Sequence, residues 1–159
     1  MGALSFCAMM GHMCDALIRS AVPDDEAEIV RCIAAAYAPA RARGISVPPV
    51  EEGIGEEIAE KRVWVIGKAD RILGVLNAGL FDGEFYIQNV AVHPESSGRG
   101  YGRALLECAE GIAQALNVPD MHLATHRDTP ENVALYEHMG WHISEREGLK
   151  VLMVKVLGE

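Results

Sequence analysis

Along this chain, stretches that alternate apolar with polar residues trade places with stretches where apolar residues recur every three or four positions. The first pattern belongs to a half-buried strand and the second to an amphipathic helix. Ala16 to Val22 alternates and predicts a strand. Pro23-Asp24-Asp25-Glu26 carries the proline and acidic first turn of a helix start, and Ile29, Ile33 and Ala36 mark its apolar face toward Tyr37. Pro39 and Arg41-Ala42-Arg43-Gly44 end or reshape that helix. Pro48-Pro49 opens a second segment, Val50 to Lys61, where Ile54 and Ile58 stand four apart as on a short helix.

Three strands are predicted next: Val63 to Gly67, Ile72 to Leu80 and Glu84 to Val92. Lys68-Ala69-Asp70 and Phe81-Asp82-Gly83 between them are short enough for hairpins. A helix of about four turns follows, running from near Ala104 toward Asn117-Val118-Pro119. Met121 to Thr125 reads as a buried strand. Thr129-Pro130-Glu131 starts a helix to Met139, with Gly140 behind it. Trp141 to Glu145 and Leu149 to Leu157 close the chain as a strand pair around Glu147-Gly148. The order β-α-α-β-β-β-α-β-α-β-β predicts an α/β fold on a mostly antiparallel central sheet.

The 159 residues fit one domain with a two- or three-layer core. A net charge of −9 argues against nucleic-acid binding, which needs a basic face, and is compatible with cationic substrates. Cys7, Cys14, Cys32 and Cys108 form no zinc spacing, so no metal is expected, and a reduced, cytoplasmic setting fits them best. Residues 1–15 lack periodicity and any Lys or Arg, and read as a leader outside a domain spanning 16–159. No apolar run approaches a membrane span.

The candidate chemistry lies between the third of the hairpin-linked strands and the four-turn helix. Gly98-Arg99-Gly100-Tyr101-Gly102-Arg103 puts three glycines at alternate positions, beside two arginines, where a helix begins. Glycines let a ligand approach the backbone, and a helix start aims unpaired N–H groups and the positive dipole end at it. This is a phosphate cradle. A dinucleotide fingerprint would need Gly at position 103, and a P-loop would need Gly-Lys-Ser/Thr; neither is present.

The strand-to-helix run Val90-Ala91-Val92-His93-Pro94-Glu95-Ser96-Ser97-Gly98-Arg99-Gly100-Tyr101-Gly102 resembles the acetyl-CoA signature of the GNAT superfamily of N-acetyltransferases. Downstream, Asn132-Val133-Ala134-Leu135-Tyr136-Glu137-His138-Met139-Gly140-Trp141 is similar to that family's second motif. Element order agrees as well, so the resemblance covers roughly residues 16–157. It implies a mixed, mostly antiparallel sheet with helices on both faces, and acetyl-CoA as co-substrate. The amides of Gly98 through Arg103 would hold its pyrophosphate, with added charge from Arg99 and Arg103. Val90, Ala91 and Val92 would lie along its pantetheine arm, and Asn132 would touch it. Gln88-Asn89 would form the bulge that splays this strand from its neighbour.

The resemblance also assigns roles. The Val90 N–H is the candidate oxyanion donor, and Tyr136 the acid that protonates the leaving thiolate. A phenol with a pKa of about 10 is still protonated at neutral pH. The family usually has Gln or Arg where Ser97 stands. The base stays open among Glu84, His93, His126, Glu137 and a water chain, and Tyr37 is a candidate lining residue of the acceptor pocket. The expected activity is direct transfer of acetyl to a primary amine on a small molecule or peptide. The alternative is a non-catalytic module that binds acyl-CoA. A homodimer paired through the final strand is left open.

Overall fold

The computed structural model describes residues 17–47, 49–68 and 71–158. The expected leader, residues 1–15, lies outside them. Seven strands form one sheet: β1 (Leu17–Ser20), β2 (Val63–Lys68), β3 (Arg71–Phe81), β4 (Glu84–Val92), β5 (Asp120–His126), β6 (His142–Glu147) and β7 (Lys150–Val156). Their spatial order is β1-β2-β3-β4-β5-β7-β6. Every neighbouring pair is antiparallel except β4 and β5, which run parallel because a helix carries the chain between them. The helices are α1 (Glu26–Ala42), α2 (Ile54–Ala59), α3 (Tyr101–Ala115) and α4 (Pro130–His138).

The two faces of the sheet bury separate cores. On one, Ile29, Cys32 and Ile33 of α1 and Ile54 and Ile58 of α2 cover Val63, Val65, Ile72, Val75 and Ala91. On the other, Ala104, Leu105 and Ala109 of α3 meet Ile66, Leu76, Phe85, Ile87, Met121, Leu123 and Met153. Such alternation across the strands is what a sheet covered on both sides requires. β3 lies in the middle, and its residues from Ile72 to Gly79 are all buried. One of them, Asn77, is polar.

Element boundaries differ from the sequence reading in places that have physical causes. Helix α1 runs through Pro39 to Ala42, losing one N–H near its C-terminal end, where the cost of a missing bond is least disruptive. The second helical segment shrinks to Ile54–Ala59, because Gly53 adopts φ +78 and sets a turn before it. Helix α3 starts at Tyr101, so Gly102 and Arg103 belong to its first turn. In β5 only Met121 and Leu123 are buried, so this strand is covered on one face. No helix among the described residues is long and apolar enough to cross a membrane.

Candidate functional site

The parallel neighbours β4 and β5 pair over only three residues: Phe85 with Met121, Tyr86 with His122 and Ile87 with Leu123. Beyond Ile87 each strand continues, but the two part. The cause sits on the other edge of β4. Against β3, Asn77 pairs with Asn89 and Ala78 with Ile87, so Gln88 is an extra residue without a partner. Such a bulge bends the strand that carries it.

The register then decides which backbone groups face the opening. His93 N–H donates to Leu73 C=O at 2.8 Å, so odd-numbered residues of this stretch, Ala91 among them, turn their backbone toward β3. Val90 and Val92 therefore turn their N–H and C=O toward the gap that β5 has left. The predicted bulge at Gln88-Asn89 and the predicted open edge at Val90 and Val92 are both present in this geometry.

At the end of β4 the chain makes a short 3-10 turn, Pro94–Ser96, and enters the glycine loop. Gly98 and Gly100 have φ of +83 and +81, the left-handed region where other residues are strained, and both face open space. Gly102 is different: its backbone is helical, and a Cβ there would sit 3.5 Å from Val92 Cγ2. Arg99 N–H donates to Ser96 C=O at 3.3 Å and Ser97 N–H to Pro94 C=O. Among the described residues, the N–H groups of Gly98, Gly100, Tyr101, Gly102 and Arg103 have no protein acceptor. Five donors at a helix start, next to a cleft of about 480 Å³, suit a diphosphate. Ala36 and Pro39 of α1, Val92, Ser97 and the loop line that cleft. Arg99 is exposed with no ion-pair partner among the described residues, whereas Arg103 leans on Glu107 at 3.6 Å.

Tyr136 and Tyr37 approach the parting from opposite faces of the sheet. Tyr136 packs with the α3-side core, its ring 6.0 Å from that of Trp141. Tyr37 belongs to the α1 side, and its O–H donates to Asn89 Oδ1 at 2.6 Å. Burial first, with a smaller push from the neighbouring Tyr136, raises the Tyr37 phenol to about 12. Burial likewise raises Tyr136. The two phenols are near enough for Tyr136 to influence Tyr37 electrostatically, and both hold their protons at neutral pH. Asn132 stands exposed in the first turn of α4.

The candidate bases are not brought together. Asp128 N–H donates to His126 Nδ1 at 3.0 Å, and Glu95 N–H to His93 Nδ1 at 3.2 Å. Each neutral ring therefore carries its proton on Nε2, which becomes a donor. Glu84 begins β4 at its paired end, away from the opening, and Glu137 is exposed on α4. A feature the sequence reading did not reach is a second cavity of about 220 Å³, on the α1 side of the bulge. Gln88 and Asn89 line it together with Asn77, Glu52 and Glu57. The sequence reading names Gln88-Asn89 for the bulge and Tyr37 for the acceptor pocket, but not Asn77, one polar residue inside an apolar run.

Residues 59–143 match the family model described as the acetyltransferase (GNAT) domain. The chain belongs to this family of acetyltransferases, whose chemistry is acetyl transfer. No curated protein matches the chain in sequence. Solved structures share its fold. The PaiA N-acetyltransferase of Thermoplasma acidophilum, in complex with coenzyme A, is 16% identical with a TM-score of 0.81, over 90% of this chain and 99% of that one. A GNAT-family acetyltransferase of Listeria monocytogenes is 18% identical, TM-score 0.74, over 89% and 95%. The ribosomal-protein-S18-alanine N-acetyltransferase of Escherichia coli is 17% identical, TM-score 0.69, over 91% and 95%.

Proposed function

We propose that this protein moves an acetyl group from acetyl-CoA directly to a primary amine. The observation that carries this reading is the parting of β4 from β5 beyond Ile87, which aims the backbone of Val90 and Val92 into a gap beside five free loop amides. When bound, acetyl-CoA supplies an activated acyl group with a thiol as leaving group. The amides of Gly98 and of Gly100 to Arg103 hold its phosphates, and Arg99 adds charge at the rim. Val90 N–H donates to the carbonyl oxygen as negative charge develops there; a fixed donor of this kind is worth roughly 3 kcal/mol. Tyr136 keeps its proton until the sulfur needs it. The neutral state of the phenol, favoured by burial, supports that role.

The first test is a thermal melt with and without acetyl-CoA. Ligand at a hundred times its dissociation constant adds about 2.7 kcal/mol, a rise of several degrees for a domain of this size. The second is amine-dependent release of free thiol. An unshifted melt at millimolar acetyl-CoA overturns the reading. A shifted melt with no turnover on a broad amine panel replaces it with an acyl-CoA-binding module.

A further inference from the structure

The 220 Å³ cavity holds two buried polar side chains whose hydrogen bonds are incomplete. Asn77 is 6% exposed and Asn89 4% exposed. They face each other across β3 and β4, on the side covered by α1 and α2. Asn89 Oδ1 accepts from Tyr37, yet Asn89 Nδ2 has no partner, and neither has Asn77 Oδ1. A buried polar group without a partner is costly, and native proteins seldom keep two side by side. One of the two atoms donates and the other accepts. Both residues line the same cavity, and Asn89 immediately precedes Val90.

The rest of the lining adds one sign of charge. Glu57 is taken up by Arg62 at 3.3 Å. Glu52 has no cation partner among the described residues. Its loop is fastened by two hydrogen bonds from Arg41 to Glu51, at 3.0 and 3.1 Å, which fix the backbone next to Glu52, while the Glu52 side chain itself is exposed at the cavity's edge.

We propose that this cavity takes the acceptor, and that the acceptor is a primary amine bearing a neutral carbonyl close to it: an amino-acid amide or the amino terminus of a peptide. The inference rests on the acetyltransferase reading above and adds the substrate class to it. Asn77 Oδ1 and the Glu52 carboxylate receive the amine's N–H groups. Asn89 Nδ2 donates to the carbonyl oxygen, and the Tyr37 hydroxyl holds the Asn89 amide in the orientation that permits this. A plain alkylamine leaves Asn89 Nδ2 unpaired. A free amino acid brings a carboxylate to a site whose one lining charge without a partner is negative.

Binding and turnover are measured separately on the full chain, so that the two readings can fail independently. Calorimetry with L-alaninamide, in the presence of coenzyme A, is expected to show saturable binding. L-alanine and propylamine are expected to bind roughly tenfold more weakly or worse. Glu52→Gln, on an exposed loop, should weaken alaninamide about tenfold while sparing the coenzyme A-dependent melting shift. Asn77→Asp keeps the shape, and its added negative charge should widen the discrimination against alanine. Equal binding of all three compounds, or alaninamide affinity unchanged in Glu52→Gln, overturns the pocket assignment and leaves acetyl transfer standing. Alaninamide binding that responds to Glu52 without any thiol release upholds the pocket and overturns the transfer reading instead.

Discussion

The two cavities beside β4 are built in opposite ways. The cleft at the glycine loop is made of backbone: its donors are amides, and its side chains mostly keep out of the way. The cavity at the bulge is made of side chains, from β3, β4 and the loop before α2. The difference teaches what each can discriminate. Backbone N–H groups at a helix start recognise a phosphate whatever else the ligand carries, and a single short segment supplies them. Carboxamides from the β3–β4 hairpin and carboxylates from α2 and the loop before it recognise one arrangement of donors and acceptors, and each can be replaced without touching the others.

The largest effect expected falls at Tyr136, which lines neither cavity. Tyr136→Phe removes the proposed proton donor and keeps the ring that packs near Trp141. Turnover should fall about a hundredfold or more, while the acetyl-CoA melting shift is kept. Steady-state kinetics beside the melt check both halves. Equal turnover in the variant removes Tyr136 from the mechanism.

Next comes the backbone cradle. Gly100→Val forces a branched residue to φ +81, a strain of roughly 1–3 kcal/mol, and places its side chain in the space where a ligand approaches. Acetyl-CoA affinity should drop tenfold or more by calorimetry, with the amine's binding preference unaltered. A parallel drop in alaninamide affinity would show that the two cavities are not independent, and the contrast between them would lose its basis.

The contrast also explains what was legible beforehand. The order of all eleven elements followed from periodicity, and the glycine loop from three residues with one physical job. The bulge at Gln88 and the outward backbone of Val90 and Val92 came from the resemblance, because alternation along β4 does not reveal where its neighbour departs. The amine side was nearly invisible. Glu52 sits about 25 residues before Asn77, and Tyr37 is 52 residues from Asn89, so only folding brings them together. Among the suggested bases, sequence gave no way to see that backbone amides at 95 and 128 occupy His93 and His126.

On the amine side, Tyr37→Phe tests the support beneath the pocket. Removing the hydroxyl leaves the whole Asn89 carboxamide unpartnered, at a cost of roughly 1–3 kcal/mol in stability. The amine KM should rise and acetyl-CoA affinity should not. The same residue sets an alkaline limit. Its phenol, near 12 in the folded chain against about 10 when unfolded, keeps its proton longer in the fold. The native state then holds more protons than the unfolded state, so this contribution to stability is intact below about pH 10 and is lost toward pH 12. Denaturation midpoints across that range should fall more steeply for the native chain than for Tyr37→Phe. Parallel curves would remove Tyr37 from the account of both stability and pocket.

The smallest effect belongs to Ser97, where the family usually has a longer polar or charged side chain. Ser97 is exposed, lines the cleft and gives its N–H to Pro94, so its side chain adds little to the row of free amides that follows. If those amides carry the binding, an arginine here contributes only one exposed ionic contact, typically worth about 0.2–1 kcal/mol. Ser97→Arg should therefore tighten acetyl-CoA by no more than about fivefold at low salt. Most of that gain should vanish near 1 M salt, where the Debye length is about 3 Å. A much larger gain that persisted in salt would mean that the natural loop is incomplete without a side chain at this position. The backbone would then be only part of the cradle, and the division between a cavity built from amides and one built from side chains would have to be redrawn.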